Sequence, residues 1–422
     1  MNLLASGPLC GTVAIPGDKS LSHRALMLNG FASGRARIRG LLASEDVAAT
    51  ARCMTALGVG ITKEDDGVIV EGRGGALLEP PDVLDCGNSG TTIRLLTGLL
   101  SGQDLLAVLT GDPSLRRRPM ARISRPLREM GARIDGREEG GRAPLTIRGG
   151  ALVNRTFRPE HASAQVKTAL LLAGLQGAGT QTIIEPGQSR DHTERMLAAM
   201  GVVLRREGLA VSLDGGQRLS ACDVDVPGDI SSAAFFLVAA SILPGSELRL
   251  TGVGLNPTRS GILDVLWRMG ADITIEEARE VCGEPVGDLI VRSAALCGTI
   301  IGGAEIPRLI DELPILAVAA AAASGQTTVS DAAELRVKES DRIATTVAML
   351  ASFGAAIFPK PDGFVIDGGV ALQPGTVHPR GDHRIAMAGA VAGLLVGCEL
   401  ADPGCMAVSF PGFLSTLSAL QG

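Results

Sequence analysis

The sequence predicts an α/β protein of six similar units arranged as two sets of three, and three observations carry that reading. "VPGDISSAAFFLVAASILPG" (226–245) echoes "IPGDKSLSHRALMLNGFASG" (15–34), with Pro-Gly-Asp, Ser, a small-residue helix pattern and a closing Gly in register. The phrases "ALGVGI", "EMGARI", "AMGVVL", "RMGADI" and "SFGAAI" recur 69–84 residues apart, around Gly58, Gly131, Gly201, Gly270 and Gly354. Each ends an amphipathic stretch and precedes alternating apolar residues, the pattern of a helix, a Gly C-cap and a strand. Finally, an Ala/Leu-rich helix opens every unit.

In chain order these opening helices are predicted over Ser22–Ala32, Thr91–Leu100, Gln165–Leu175, Ser231–Ala240, Leu313–Ala323 and His383–Leu395. A Gly, a strand, a polar loop and a second helix follow within each unit. The two Pro-Gly-Asp turns stand where each set of three begins. The chain is therefore expected to cross between domains near 15–17 and 226–229, its first strand having crossed over. The expected domains are residues 1–15 with 228–422, and residues 16–227.

Composition narrows the function. A chain of 422 residues has room for two ordinary domains, and 45% hydrophobic content with positive mean hydropathy excludes disorder. There is no Tyr, one Trp and nine Phe, so the core must be built from Ala, Leu, Val and Ile, with 55 Gly for turns. Missing aromatic platforms and a net charge of −6 argue against nucleic acid. Eight cysteines show neither C-x-x-C nor zinc spacing and are expected as buried free thiols in a reducing cytosol. His161, His192 and His383 form no ligand spacing, so no metal and no cofactor are expected. The start of the chain shows no signal pattern, and the longest apolar run, Ile315 to Ala323, is short of the roughly 20 residues of a membrane helix. A soluble cytoplasmic protein is expected.

Polar residues gather at the helix starts. "IPGDKSLSHR" (15–24) reads equally as a capped helix, with Asp18 or Ser20 as N-cap, or as an anion site built on a helix N-terminus. It is not a nucleotide loop, since Asp18 separates Gly17 from Lys19. "DCGNSGTTIR" (85–94) is a strong N-terminal anion nest. "SLRRRP", "SAQVK", "SRDHTER", "IDELP", "RVKESDR" and "GDHR" add further charge, though each alone fits a loop or a capped, salt-bridged turn. Together they describe a cleft lined by Lys19, Arg24, Arg118, Arg190, Lys338, Arg342 and Arg384, with Asp311 and Glu339 among the cations. So much positive charge in an acidic protein calls for small polyanionic substrates, expected to be two.

At this point the chain resembles the 5-enolpyruvylshikimate-3-phosphate synthase family, the 3-phosphoshikimate 1-carboxyvinyltransferases. "GDKSLSHR", "GNSGTTIR", "RRRPM", "SAQVK", "RDHTE", "NPTR", "LRVKESDR" and "DHRIAM" arrive in the family's order over essentially the whole length, and the set is similar to the class II branch. The resemblance implies two domains, each of three β-α-β-α-β-β units, with helices inside, sheets outside and the active site in the cleft. It implies shikimate 3-phosphate held by Lys19, Ser20, Arg24, Ser163, Ala164, Gln165, Arg190, Asp311 and Lys338. Phosphoenolpyruvate would be held by Lys19, Asn88, Gly90, Arg118, Gln165, Glu339, Arg342 and Arg384, because the planar arginine fork suits carboxylate and phosphate. Asp311 would be the base for the substrate hydroxyl and Glu339 the acid for the vinyl carbon, with Lys19 protonating the departing phosphate. A carboxyl group is an acid near neutrality only if its pKa is raised, as burial on domain closure would do, and closure would also exclude water.

Two departures from the family stand out. Many members carry a lysine just before a Ser/Thr-Phe-Pro near the C-terminus, whereas here the stretch is "CMAVSFP" (405–411) and no lysine follows Lys360. The inhibitor glyphosate competes with phosphoenolpyruvate in this family, and tolerance in the class II branch often goes with an alanine where this chain has Gly90, so moderate sensitivity is expected. The rival readings are the transferase acting on UDP-N-acetylglucosamine, which usually carries a catalytic cysteine in the loop equivalent to 111–119, and a non-catalytic relative lacking a member of the charged set. This loop has no cysteine and the set is complete. A monomer is expected.

Overall fold

In a computed structural model, which describes residues 1–421, the chain forms six small sheets around helices. Contacts divide it into two units. The first comprises Met1–Pro16, Pro227–Glu280 and the chain from Pro285; the second comprises Gly17–Val226 with Val281–Glu284. That last segment lies in the stretch the sequence reading gives to the first domain. It packs with the second unit, where Glu284 Oε1 lies 2.8 Å from His192 Nδ1 and Arg195 donates to the Gly283 carbonyl at 2.8 Å.

Five sheets share one four-stranded order. In the sheet Leu84–Asp85, Leu106–Thr110, Arg142–Arg148, Arg133–Gly136, the first two strands are parallel and the rest antiparallel. The parallel pair requires a crossover, which the Gly90–Ser101 helix supplies. Two strands come from far along the chain. Val224–Asp225 completes the sheet beside Arg35–Arg39, and Cys10–Ala14 pairs parallel with Glu247–Gly254 in the first unit. The sixth unit departs from the repeat, with three strands only. Gly375–Val377 and Cys398–Leu400 run parallel, and Asn2–Leu3 closes the edge antiparallel. Beyond Leu400 the chain turns into Pro403–Val408 and Phe413–Ala419 instead of a hairpin, and Phe410 and Phe413 pack on Phe236 with ring centroids 5.6 and 5.5 Å away.

The opening helices run Lys19–Phe31, Gly90–Ser101, Ala164–Gly174, Ile230–Ile242, Leu313–Ala322 and His383–Val396. They are buried on nearly every side, so they form the interior and the sheets the outside. Small residues make this possible. A Cβ on Gly98 would overlap the Ala169 backbone, so only glycine lets the Gly90–Ser101 and Ala164–Gly174 helices touch there. The five recurring glycines sit at φ of +88, +113, +91, +94 and +78°, the left-handed conformation of a helix C-cap. Among the described residues all eight cysteines are free thiols, but burial does not hold for all of them. Cys10 and Cys297 lie exposed, the first opening an edge segment and the second in a surface connection. No helix among the described residues is long and apolar enough to cross a membrane.

Candidate active site

In the second unit, Asp18 caps the Lys19–Phe31 helix, its Oδ1 accepting from Leu21 N at 2.8 Å. The next turn presents Lys19, Ser20 and Arg24. Lys19 Nζ meets Asp46 Oδ2 at 2.5 Å. Arg24, 3% exposed, donates to Thr193 Oγ1 at 2.7 Å, Thr168 Oγ1 at 2.9 Å and the Ser20 carbonyl at 2.9 Å. Burial lowers its pKa to about 10, with Arg190 nearby acting in the same direction and Asp18 and Glu194 opposing, so it stays cationic near neutrality.

Thr168 Oγ1 donates in turn to the Ala164 carbonyl at 2.6 Å, which ties Arg24 to the start of the Ala164–Gly174 helix. Ser163 caps that helix. Gln165, two residues on, donates to Thr91 Oγ1 at 3.0 Å and accepts from Arg94 at 2.7 Å, a pairing set by the close approach of the two helices at Gly98. Asn88 accepts from Arg118 at 2.6 Å and donates to Asp112 at 2.6 Å. A Cβ on Gly90 would stand 3.1 Å from both Arg118 NH1 and Arg94 NH1. Thus Lys19, Ser20, Arg24, Asn88, Gly90, Arg118, Ser163, Ala164, Gln165 and Arg190 all belong to this unit. His23, behind them, bonds Thr50 Oγ1 at 2.7 Å and is held neutral, with a pKa well below the usual value because of burial, then Lys19 and Arg24.

In the first unit the centre is Arg342, 1% exposed at the start of the Arg342–Ser352 helix. Its guanidinium donates to Asp382 Oδ2 at 2.9 Å, Glu339 Oε2 at 2.6 Å and Asp311 Oδ1 at 3.2 Å. Burial lowers the Arg342 pKa, but Glu339, Asp382 and Asp311 outweigh it and the net shift is upward. For Asp382 burial pushes upward, and Arg342, by charge and hydrogen bond, more than reverses it, so the carboxyl stays below its usual range. Lys338 Nζ also reaches Asp311 Oδ1, at 3.3 Å, and Arg384 donates to the Asp311 carbonyl at 3.2 Å. Asp311, Lys338, Glu339, Arg342 and Arg384 therefore form one cluster. The sequence reading offers Arg342 to a substrate anion, yet its guanidinium is already committed to three carboxylates.

Three participants escaped the sequence reading. Arg94 stands one turn beyond Gly90 on the same helix. Asp382 precedes the two residues of "DHR" that the motif brings to notice, and Glu312 neighbours Asp311. The i, i+4 spacing and the N-cap position were the available signals for the first two. Among the described residues no group of three or more His, Cys, Asp or Glu side chains could hold a metal ion.

The chain matches the family model described as EPSP synthase (3-phosphoshikimate 1-carboxyvinyltransferase) over residues 4–417. It is 56% identical over 418 residues to the 3-phosphoshikimate 1-carboxyvinyltransferase of Gloeobacter violaceus, covering 98% of this chain and 97% of the relative. Its fold is similar to the EPSP synthase structure from Acinetobacter baumannii, with TM-score 0.91, 42% identity and coverage of 100% of this chain and 98% of the other. The enolpyruvyl transferase NikO from Streptomyces tendae shares the fold at TM-score 0.81 and 19% identity, over 99% and 96% of the two chains.

Proposed function

The chain belongs to the EPSP synthase family, and from that premise we propose a role in its reaction for the residues of each cluster. The enzyme transfers the enolpyruvyl group of phosphoenolpyruvate to the 5-hydroxyl of shikimate 3-phosphate and releases phosphate, on the route to chorismate and the aromatic amino acids. The observation that carries the assignment of roles is Arg342, whose one guanidinium holds both Asp311 and Glu339.

Asp311, ion-paired with Lys338 and Arg342, takes the hydroxyl proton as oxygen bonds to C2 of phosphoenolpyruvate. Glu339 gives a proton to the methylene carbon. In the second step the methyl carbon returns a proton to Glu339, the bond between C2 and the phosphate ester oxygen breaks, and Lys19 protonates the leaving phosphate. Phosphoenolpyruvate reaches Arg342 by displacing Glu339, and the released carboxylate takes up a proton from solvent before it acts as the acid. Arg118 and Arg384 take the remaining oxygens of phosphoenolpyruvate beside Asn88, Gly90 and Gln165. Ser20, Arg24, Ser163, Ala164, Gln165, Arg190, Asp311 and Lys338 are the residues this reading assigns to shikimate 3-phosphate. Glyphosate competes at the phosphoenolpyruvate subsite, and the enzyme works as a cytoplasmic monomer.

Phosphate release from phosphoenolpyruvate tests the reading. It is expected with shikimate 3-phosphate and not with UDP-N-acetylglucosamine; release with the nucleotide sugar alone would overturn it.

A further inference from the structure

Behind Arg384 runs a buried polar chain that none of the roles above uses. Arg259, the last residue of the "NPTR" motif, donates through one nitrogen to Asp229 Oδ1 and Ser231 Oγ, both at 2.7 Å. Asp229 caps the Ile230–Ile242 helix. Ser231 Oγ donates onward to Glu312 Oε1, and the same oxygen lies 3.8 Å from Arg384 NH1. All of these residues belong to the first unit. Glu312 is 1% exposed, and its Oε2 has no hydrogen-bond partner among the described residues.

A carboxylate at this depth is a poor way to gain stability. Desolvation offsets its ion pairing, and an apolar side chain of similar size commonly serves as well. What the charge does provide is orientation. Both side-chain contacts of Arg384 here use NH1, to Glu312 and to the Asp311 carbonyl, which leaves the Nε–NH2 pair outside them and able to take both oxygens of an anion. We propose that Glu312 is a positioning residue for Arg384, held in place by Ser231 and Arg259, and that it acts specifically on phosphoenolpyruvate binding. The inference rests on the proposed role of Arg384. Glu312 touches no substrate.

Steady-state kinetics on the full-length enzyme test it. Glu312→Ala is expected to raise KM for phosphoenolpyruvate about tenfold and to leave KM for shikimate 3-phosphate within about twofold. Ser231→Ala, which removes the tether and no charge, is expected to give about a threefold rise in the same constant. In an Arg384→Ala background, Glu312→Ala should change KM for phosphoenolpyruvate by less than about twofold, because its effect passes through Arg384. Equal effects on both substrates, an unchanged constant in both single variants, or the full effect persisting without Arg384 would each overturn the inference. If Glu312→Ala does not fold, Ser231→Ala alone decides. Should Arg384→Ala leave KM for phosphoenolpyruvate unchanged, the role of Arg384 itself falls. A rise in Arg384→Ala with no change in the Glu312 and Ser231 variants would sink only the present inference.

Discussion

Arg24 and Arg342 are both almost wholly buried on helices, yet they are held by opposite kinds of partner. Arg24 bonds two threonine hydroxyls and a carbonyl, all neutral. Arg342 bonds three carboxylates. A guanidinium solvated by neutral oxygens keeps its charge for a ligand phosphate. One surrounded by carboxylates instead fixes those groups in place, and its own charge is largely answered. On the roles proposed above, Arg24 offers its charge to a substrate phosphate, while Arg342 holds the proposed base and acid, Asp311 and Glu339, until a substrate anion arrives. Burial lowers the pKa of Arg24 and carboxylates raise that of Arg342, so the same contrast appears in the electrostatics.

The largest effect should come from the carboxylate side. Asp311→Asn is expected to cut turnover by about 10² to 10⁴, the usual span for a general base, while shikimate 3-phosphate binding by calorimetry stays close to normal. Near-normal turnover would remove Asp311 from the chemistry and blur the contrast between the units.

Stability should divide along the same line. Asp382→Ala strips a buried partner from Arg342 and should cost roughly 3–5 kcal/mol in denaturant unfolding, whereas Thr193→Val, which takes a neutral partner from Arg24, should cost about 1 kcal/mol. The Asp382 contribution also has a pH sign. Its pKa is lowered in the folded state, so the stabilisation is complete above the ordinary carboxylate range and disappears as pH falls through the depressed value. Equal costs for the two variants would break the comparison.

Gly90→Ala tests the proposed place of Gly90 at the wall of the phosphoenolpyruvate subsite. The added methyl would stand 3.1 Å from the flexible tips of Arg118 and Arg94, and overpacking of this order costs roughly 1–3 kcal/mol. The glyphosate inhibition constant is expected to rise at least about tenfold, with a smaller rise in KM for phosphoenolpyruvate, because the longer ligand is excluded first. A parallel rise in both constants would place Gly90 away from the wall.

The smallest effect belongs to His23. Its folded-state pKa is lowered, so the stability it contributes is complete above about pH 6.5 and is lost as pH falls toward the depressed value. Thermal melts should weaken from pH 6.5 to 5.5 with a slope of up to about 1.4 kcal/mol per pH unit, and His23→Asn should flatten that slope. An unchanged slope would mean that His23 does take up a proton when folded.

The repeat was legible because Gly C-caps leave a fixed mark: all five recurring glycines carry the positive φ that their position demands. The Leu313–Ala322 helix was legible from composition alone, ending within one residue of the expected Ala323. Charged motifs could be placed at helix starts for the same reason, since caps and turns use few residue types. Pairing could not be read. Nothing in "RVKESDR" says that Arg342 is buried while Lys338 remains partly exposed, because that depends on Asp382, 40 residues later. The missing hairpin of the sixth unit was equally hidden, since nothing in "SFPGF" says that Phe410 and Phe413 pack on Phe236.

The exchanged strands have a consequence for the order in which a nascent chain can complete itself. Cys10–Ala14 is made long before its partner, Glu247–Gly254, and Leu9 N bonds Ser246 Oγ across 237 residues. At a synthesis rate of about 5–20 residues per second, that strand waits roughly ten to fifty seconds with its edge open. The sheets of the second unit need only residues up to Asp225, so they can close during the wait. The topology therefore leaves this strand unpaired for that interval, and "CGTVA", whose residues are mostly exposed even when paired, is mild enough in hydrophobicity to wait without aggregating.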